Sequence, residues 1–572
     1  MRLSTDSERD EALAEQTISA ALNAGITVFD TAHAYGLDEH DLGHNERLVA
    51  RLLASGGASA RRIITKGGMS RRGGGWVPDG RAKAIRVDCE ASLNALGGLP
   101  IDLYLIHAPD PRTPWPTSVR ALRGLLDEGL VRRVGLSNVN LPQLDEALEL
   151  APIAAVQIAL SVHDDRAVRG GLLERCRQRG IALIAHSPLG GPRRAKSLAR
   201  DQGLPELALA WLLELSPNVV AIPGARRPET ARSAARAARL KLTSHDLARL
   251  ERSFELSRPA RAAVHSPPPG GDHAEVVMIM GIPGAGKTRL AGSYASRGYV
   301  RLNRDERGGA LRGVADALEH ELDAGARTVV LDNTYLTRAA RSYVTEVAAR
   351  HGIGVRCVWL DTPLAQAQVN MVERLLERCG ALPTPEELRD LARREPGMLS
   401  PTQQMRALRE LEPPTPDEGF ASVQVAPFAR VLEARRGGAG VFIAAAALAE
   451  QGSERVLEQH AAPDAPCLVF DWRPDGTLDE LLPLAEQVRT KLDPAATVQA
   501  AVCPHGGGPP RCWCRPPLPG LPLAFARAHE VDPARSVLIG VSAAHRTLAT
   551  AIGARYVAAA TEPGGRRGAE RR

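Results

Sequence analysis

Along the first 254 residues, short apolar runs alternate with longer stretches whose apolar positions recur at helical spacing. The runs are Gly25-Ile26-Thr27-Val28-Phe29, Ile63-Ile64-Thr65, Ile101 to Ile106, Val134-Gly135-Leu136, Ala155-Val156-Gln157, Ala182 to Ala185 and Val219 to Ile222. Each leads into a loop and then a helix-like stretch, the βαβα alternation of a parallel sheet. Seven strands at this spacing predict a TIM (β/α)8 barrel over residues 1–257, one strand short. Met1-Arg2-Leu3-Ser4 reads as the far end of the first strand, so the barrel is expected to be truncated, with an exposed edge.

The pattern breaks over 258–272, where Ser266-Pro267-Pro268-Pro269-Gly270-Gly271 is a linker by composition. A second α/β unit over 273–430 has apolar strands at Val276 to Met280, Thr328 to Leu331 and Val355 to Leu360. A connector is expected over 431–460. A third α/β unit begins weakly near Gly437, becomes clear at Cys467-Leu468-Val469-Phe470 and is bounded at 461–558, and 559–572 reads as a disordered basic tail. The class is α/β and multidomain.

Composition narrows this picture modestly. A chain of 572 residues with 44% apolar and 24% charged residues has ample material for separate cores. The net charge of +6 permits nucleic-acid binding without demanding it, because arginine is abundant throughout. No apolar stretch follows Met1 and no unbroken apolar run reaches about 18 residues, so neither a signal peptide nor a membrane span is expected. The eight cysteines are scattered except at Cys503, Cys512 and Cys514, a pattern for a reducing cytoplasm with one metal site.

Four polar residues fall at the carboxyl ends of the barrel strands, where barrel active sites are built. They are Asp30 and Tyr35 in FDTAHAYG, Lys66 in IITKGG and His107 in LYLIHAPD. A carbonyl that accepts hydride also needs a proton. A tyrosine hydroxyl is a poor acid at neutral pH unless a nearby cation stabilises its phenolate. Lys66 supplies that cation, Asp30 holds it, and His107 orients the substrate oxygen.

In these residues the segment from Met1 to about Phe254 resembles the aldo-keto reductases, whose catalytic tetrad they match in order. The resemblance implies reduction of a small carbonyl substrate with NADP(H). It assigns the nicotinamide amide to Ser137, Asn138 and Gln157, the pyrophosphate to the Ser187-Pro188-Leu189-Gly190 loop and the adenosine phosphate to Ile222 to Arg227. Arg226 and Arg227 favour NADPH, since guanidinium pairs bidentately with a 2′-phosphate. His186 stands where the family commonly stacks an aromatic ring on nicotinamide. Two departures stand out: the family's Glu-Asn near adenine is Ser233-Ala234, and the missing strand would thin the nicotinamide floor. Either the chain start is misassigned or the reductase is weakened.

Residues 281–288 read GIPGAGKT, directly after an apolar strand and before a helix-like stretch. Gly281, Gly284 and Gly286 allow backbone amides to cradle a polyphosphate, Lys287 reaches the β- and γ-phosphates, and Thr288 holds Mg²⁺. With Asn303-Arg304-Asp305, Leu331-Asp332-Asn333 and the Leu411 to Phe420 segment, residues from about Glu275 to Ala429 resemble polynucleotide 5′-hydroxyl kinases. The resemblance makes Asp305 the base that takes the proton of a nucleic-acid 5′-hydroxyl, with ATP and Mg²⁺ as cofactors. Asp305 is otherwise a helix cap. Asp332 either supports Mg²⁺ through water or caps its strand, and Arg374 and Arg409 are candidates for a lid. Small-molecule kinases of the same P-loop class share the loop and lid arginines.

Cys503, His505, Cys512 and Cys514 form a Cys-x-His and Cys-x-Cys set suited to tetrahedral structural Zn²⁺. With Arg515 to Gly520 they resemble the zinc loop of haloacid-dehalogenase-type phosphatases acting on histidinol phosphate or heptose bisphosphate, over Cys467 to Tyr556. That family's nucleophile motif, Asp-x-Asp-Gly-Thr, is stretched here into Asp471-Trp472-Arg473-Pro474-Asp475-Gly476-Thr477. The expected late metal-binding carboxylates are Val541 and His545. Without them the domain is expected to be inactive, with Asp471 as a surviving phosphoryl acceptor the alternative. The sequence therefore reads as a cytoplasmic fusion of a reductase, a polynucleotide kinase and a degenerate phosphatase-like domain. The alternatives are a polyol or sugar kinase–reductase fusion and a nucleotide-controlled regulatory protein.

Overall fold

The computed structural model describes residues 2–54, 61–254, 256, 274–395, 397–428, 437–462, 464–492 and 496–559. The chain divides into two compact units, Met1–Ala263 and Val264–Arg572. The expected linker over 258–272 and the basic tail over 560–572 lie outside the described residues.

In the first unit the strands are β1 (Val28–Asp30), β2 (Arg62–Gly67), β5 (Leu103–Ile106), β6 (Val134–Ser137), β7 (Ile153–Ala159), β8 (Ala182–His186) and β9 (Val219–Ala221). They form one seven-stranded parallel sheet in that order, and each matches one of the apolar runs in the sequence. Among the described residues β1 and β9 lie at the two edges of the sheet. A small antiparallel pair, β3 (Met69–Ser70) and β4 (Val77–Pro78), projects beyond β2. The order follows from short crossovers between sequence-adjacent strands, whose amphipathic helices bury one face in a core with Tyr104, Leu122, Leu183 and Leu212. Arg2–Thr5 is a short helix, which corrects the expectation of a strand remnant there. Ser4 is buried, and its hydroxyl bonds His44 Nδ1 and accepts from Asn45 Nδ2, so local side-chain bonding and burial hold this segment without a sheet neighbour.

The second unit holds two sheets. β10 (Glu275–Met280), β11 (Val300–Leu302), β12 (Thr328–Asp332), β13 (Val355–Asp361) and β14 (Ser422–Pro427) pair in parallel, in the order β11-β12-β10-β13-β14. From Val276 to Met280 every residue of the central strand is buried, as a two-sided parallel strand requires. The other sheet is β17-β16-β15-β18-β19, with β15 (Val441–Ala444), β16 (Cys467–Trp472), β17 (Val498–Cys503), β18 (Val537–Gly540) and β19 (Arg555–Ala558). This corrects the boundary over 431–460. Val441–Ala444 is the central strand of the sheet and Ser453–His460 is a helix, so the stretch is structural core and not a connector.

The centre of the third sheet also relocates its crevice. Open parallel sheets bind ligands beyond the strand ends where crossover direction reverses, here between β15 and β18. The residues at that point are Ala444 at the end of β15, Ala445 and Ala446 after it, and Val541 and Ser542 after β18. None carries a carboxylate. Asp471 sits on the neighbouring strand and is tied to Arg473 Nε at 2.9 Å and to the Trp472 amide at 2.8 Å. The two sheets are not independent: Val369, Met371, Val372 and Leu375 of the helix Leu364–Cys379 share one core with Phe442, Phe470 and Trp513.

Candidate functional sites

Parallel registration aligns the first site. Asp30 ends β1 opposite Ile64, which puts Lys66, two residues further along β2, on the same face just beyond it. Lys66 Nζ donates to Asp30 Oδ1 at 2.6 Å, to the Thr31 carbonyl at 2.8 Å and to the Tyr35 hydroxyl at 3.3 Å. The lysine side chain is fully buried. Burial alone would depress its pKa, but Asp30 and then Tyr35 override that, and the net shift is upward. Tyr35 is also pushed upward, because burial outweighs the opposing pull of Lys66. His107 follows β5 and lies edge-on to Tyr35, with ring centroids 5.7 Å apart. Burial, with Lys66 nearby, lowers its pKa to about 3, so the ring is neutral at ordinary pH. Its Nδ1 is buried and makes no hydrogen bond to the protein. All four residues foreseen for proton transfer therefore converge at one end of the sheet.

One residue there was not foreseen. Trp76, just before β4, stands edge-on to Tyr35 at 6.1 Å and to His107 at 5.8 Å. The Arg71 guanidinium lies 4.0 Å from its ring centroid, and Arg71 is anchored on the Leu37 carbonyl. The indole is 44% exposed. The sequence signal was only a lone tryptophan in a glycine-rich hairpin, too common a feature to single out.

The residues assigned to the dinucleotide ring the same strand ends. Among the described residues of this unit, Asn138 and Ser187 are the non-glycine residues with positive φ, at 58° and 51°. Such backbone costs of order 1–3 kcal/mol and clusters at ligand sites. Asn138 Nδ2 donates to the His107 carbonyl and to Ser137 Oγ, while its Oδ1 accepts from His186 Nε2 at 3.0 Å. Gln157 Nε2 donates to Asp30 Oδ2 at 2.8 Å, so it also orients the carboxylate that holds Lys66. Leu189 packs against the barrel core. Arg226 is ion-paired with Asp6 at 3.1 Å, and Arg227 precedes the helix Pro228–Ala237. These positions fit a dinucleotide laid across the strand ends.

The second site lies beyond β10. Gly281 and Gly284 are required: a Cβ on Gly281 would sit 2.9 Å from the Leu360 carbonyl oxygen, and one on Gly284 only 2.3 Å from that of Ala367. Lys287 opens the helix Lys287–Ala295 and donates to the Gly281 and Ile282 carbonyls, both at 3.0 Å. Burial, with Asp332 opposing and Arg374 reinforcing it, lowers its pKa to about 8. A Cβ on Gly397 would lie 3.3 Å from Asp305 Oδ2 and 3.8 Å from Arg374 Nη1, so both side chains approach that glycine, while the Asp305 carboxylate is itself paired with Arg304 at 3.1 Å. Asn303 caps the turn that carries Asp305, accepting from the Asp305 and Glu306 amides and donating to the Asp332 carbonyl. Thr288 is exposed beside Lys287.

Three further groups of the motif set are engaged elsewhere. Asp332 is paired with Arg301 through Nε at 3.1 Å and Nη2 at 2.5 Å, so its carboxylate is already engaged. Arg409 donates to the Met405 carbonyl of its own helix and joins none of these groups. The Leu411 to Phe420 segment acts as a buckle: Glu418 receives both Nε and Nη2 of the fully buried Arg341, each at 2.7 Å.

The third site is the sulfur cluster. Cys503 Sγ lies 3.7 Å from Cys512 Sγ and 3.5 Å from His505 Nδ1, which is 3.3 Å from Cys514 Sγ. All four ligand atoms lie within 4.8 Å of one another. An ion about 2.3 Å from each sulfur puts tetrahedral neighbours about 3.8 Å apart. The set fits one such ion. Among the described residues no helix is long and apolar enough to cross a membrane.

A barrel-type parallel sheet with a buried Lys–Asp pair, a tyrosine and a neutral histidine at its strand ends defines an oxidoreductase-type site. Residues 1–204 match the aldo/keto reductase family. A probable aldo-keto reductase of Glycine max is 31% identical over 271 residues, covering 40% of this chain and 76% of that protein. An uncharacterized oxidoreductase of Schizosaccharomyces pombe is 30% identical over 255 residues, covering 43% of this chain and 80% of that protein. The chain belongs to the aldo/keto reductase family. Among solved structures, an aldo-keto reductase from Klebsiella pneumoniae in complex with NADPH is 25% identical, with a TM-score of 0.36, over 44% of this chain and 87% of that one. Residues 276–394 match an AAA domain.

Proposed function

We propose that the first unit reduces a small carbonyl compound with NADP(H). The observation that carries this reading is the Lys66–Asp30–Tyr35 linkage beside a neutral His107. When bound, the nicotinamide supplies the hydride. Tyr35 gives its hydroxyl proton to the developing alkoxide, Lys66 stabilises the phenolate left behind, and His107 binds the substrate oxygen from the other side. Membership of the aldo/keto reductase family supports the reaction class. NADPH oxidation with an aldehyde panel tests it: activity in wild type that disappears in Tyr35→Phe supports the reading, and equal rates in both overturn it.

The second unit is proposed to transfer the γ-phosphoryl group of ATP to a hydroxyl, with a polynucleotide 5′-end as acceptor. The approach of Asp305 and Arg374 to the same glycine, Gly397, supports it, placing a base for the hydroxyl and a cation for the migrating charge in one region. Lys287 and Thr288 would hold the phosphates and Mg²⁺. Incubation with γ-labelled ATP and 5′-hydroxyl RNA, 5′-hydroxyl DNA or a polyol panel separates the acceptors. Labelled oligonucleotide from wild type but not from Asp305→Ala supports the reading, and label only on a polyol moves the assignment to small molecules. The third sheet is read as a phosphatase-like fold without chemistry, holding structural Zn²⁺ at Cys503, His505, Cys512 and Cys514, because its crevice presents alanines where carboxylates would be needed.

A further inference from the structure

The sulfur cluster lies against the helices that frame the GIPGAGKT loop, and the contacts form a continuous chain. Between two cluster residues, Cys512 and Cys514, stands Trp513, 1% exposed, whose Nε1 donates to the Leu399 carbonyl at 3.0 Å. Three residues on, Thr402 Oγ1 donates to the Pro510 carbonyl at 2.6 Å, two residues before Cys512. Leu399 and Thr402 bracket Ser400, the cap of the helix Pro401–Glu410, so the cluster's loop grips that helix at its first turn. One turn along, the fully buried Gln404 donates Nε2 to the Pro283 carbonyl at 2.8 Å. Asn370, on the helix whose apolar face shares a core with Trp513, donates to the Gly284 carbonyl at 2.7 Å. Two successive carbonyls of the phosphate loop are thus held by helices that the sulfur cluster props.

Phosphate binding needs the loop's amides fixed before the ligand arrives, and carbonyl anchors fix the peptide planes whose other ends are those amides. We propose that the Cys503–Cys514 loop, with a metal ion bound, is a positioning element for the phosphate-binding loop, acting through Trp513, Thr402 and Gln404. The third domain then serves phosphoryl transfer without active-site chemistry of its own. Losing the ion frees Trp513, loosens the first turn of the Pro401–Glu410 helix and lets the Pro283–Gly284 peptide wander. This inference rests on reading GIPGAGKT as a triphosphate site.

The test uses the full chain and two readouts. One is the affinity for a fluorescent, non-hydrolysable ATP analogue with Mg²⁺; the other is amide hydrogen exchange over residues 281–287 without nucleotide. Metal content is measured throughout, and a chelator removes the ion. Thr402→Val should keep its metal and stay folded with only a small drop in melting temperature, yet bind the analogue up to about fivefold more weakly, the upper bound set by one hydrogen bond of about 1 kcal/mol. Its loop amides should exchange faster, and Thr402→Ser, which keeps the hydroxyl, should match wild type. Chelated wild type should behave like Thr402→Val or worse, and Zn²⁺ should restore it. The proposal is overturned if no metal binds, or if chelation and Thr402→Val leave both readouts where wild type and Thr402→Ser have them. Should wild type bind the analogue no better than Lys287→Ala, the triphosphate reading fails, and exchange at 281–287 alone decides whether the cluster positions the loop.

Discussion

Lys66 Nζ and Asp30 Oδ1 lie 2.6 Å apart on neighbouring strands, with the ammonium wholly removed from solvent. The pair is worth little as a stabiliser, since desolvating both charges offsets most of their attraction. Breaking it is another matter. Asp30→Asn leaves a buried ammonium facing only neutral acceptors, with no counter-charge, and should cost about 3–5 kcal/mol of unfolding free energy. Lys66→Met with Asp30→Leu removes both charges and should be far milder, while abolishing reduction as completely as Asp30→Asn. Denaturant unfolding and NADPH oxidation on the same samples separate the two effects.

His107 makes stability depend on pH in a definite direction. Its folded pKa is about 3 against 6.5 for the free side chain, with burial as the main cause. At pH above 6.5 both folded and unfolded forms are neutral and the group contributes nothing to the slope. As pH falls from 6.5 towards 3 the unfolded chain takes up a proton that the folded one refuses. Wild type should therefore lose up to about 1.4 kcal/mol per pH unit more than His107→Gln across that window. Parallel slopes in denaturant melts of the two proteins would show that His107 is not buried neutral.

Trp76 offers a flat, partly exposed ring above Tyr35 and His107, stiffened by Arg71. An aromatic wall at that place favours aldehydes with an apolar body. Trp76→Ala should raise KM for an aromatic aldehyde by about tenfold, a loss of roughly 1.4 kcal/mol of ring contact. KM for a two- or three-carbon aldehyde should barely move, and kcat for both should hold. A large kcat loss with the small aldehyde would place Trp76 in the proton-transfer geometry instead.

Periodicity made the barrel strands legible because each is a short apolar run between turn signals, and the tetrad was legible because strand ends fix where such residues point. Val441–Ala444 was missed as a strand because VFIAAAALAE runs straight into a helix with no turn signal between. That omission left the central strand of the third sheet inside the expected connector. Asp332 and Glu418 were harder still: their arginine partners, Arg301 and Arg341, come from other elements, and no local pattern predicts such pairing. Shared cores defeat sequence reading too. The helix Leu364–Cys379 looks like an ordinary amphipathic helix of one domain, yet its apolar face closes the core of the next.

Lys287 links pH to nucleotide affinity. Burial, together with Arg374, holds its pKa near 8 in the free protein, while a bound triphosphate would favour the ammonium strongly. Binding must then draw in a proton whenever the free lysine is neutral. Affinity should be flat below about pH 7 and fall by up to tenfold per pH unit above 8, until the solution pH passes the raised pKa of the complex. Calorimetry in two buffers of different ionisation enthalpy should detect that proton uptake at pH 9 and nearly none at pH 6.5. In Arg374→Gln the onset should move to higher pH, because one of the groups depressing the lysine is gone. An onset that stays at the same pH in Arg374→Gln, with affinity reduced at every pH, would mean that the arginine grips phosphate directly and that burial alone sets the Lys287 titration.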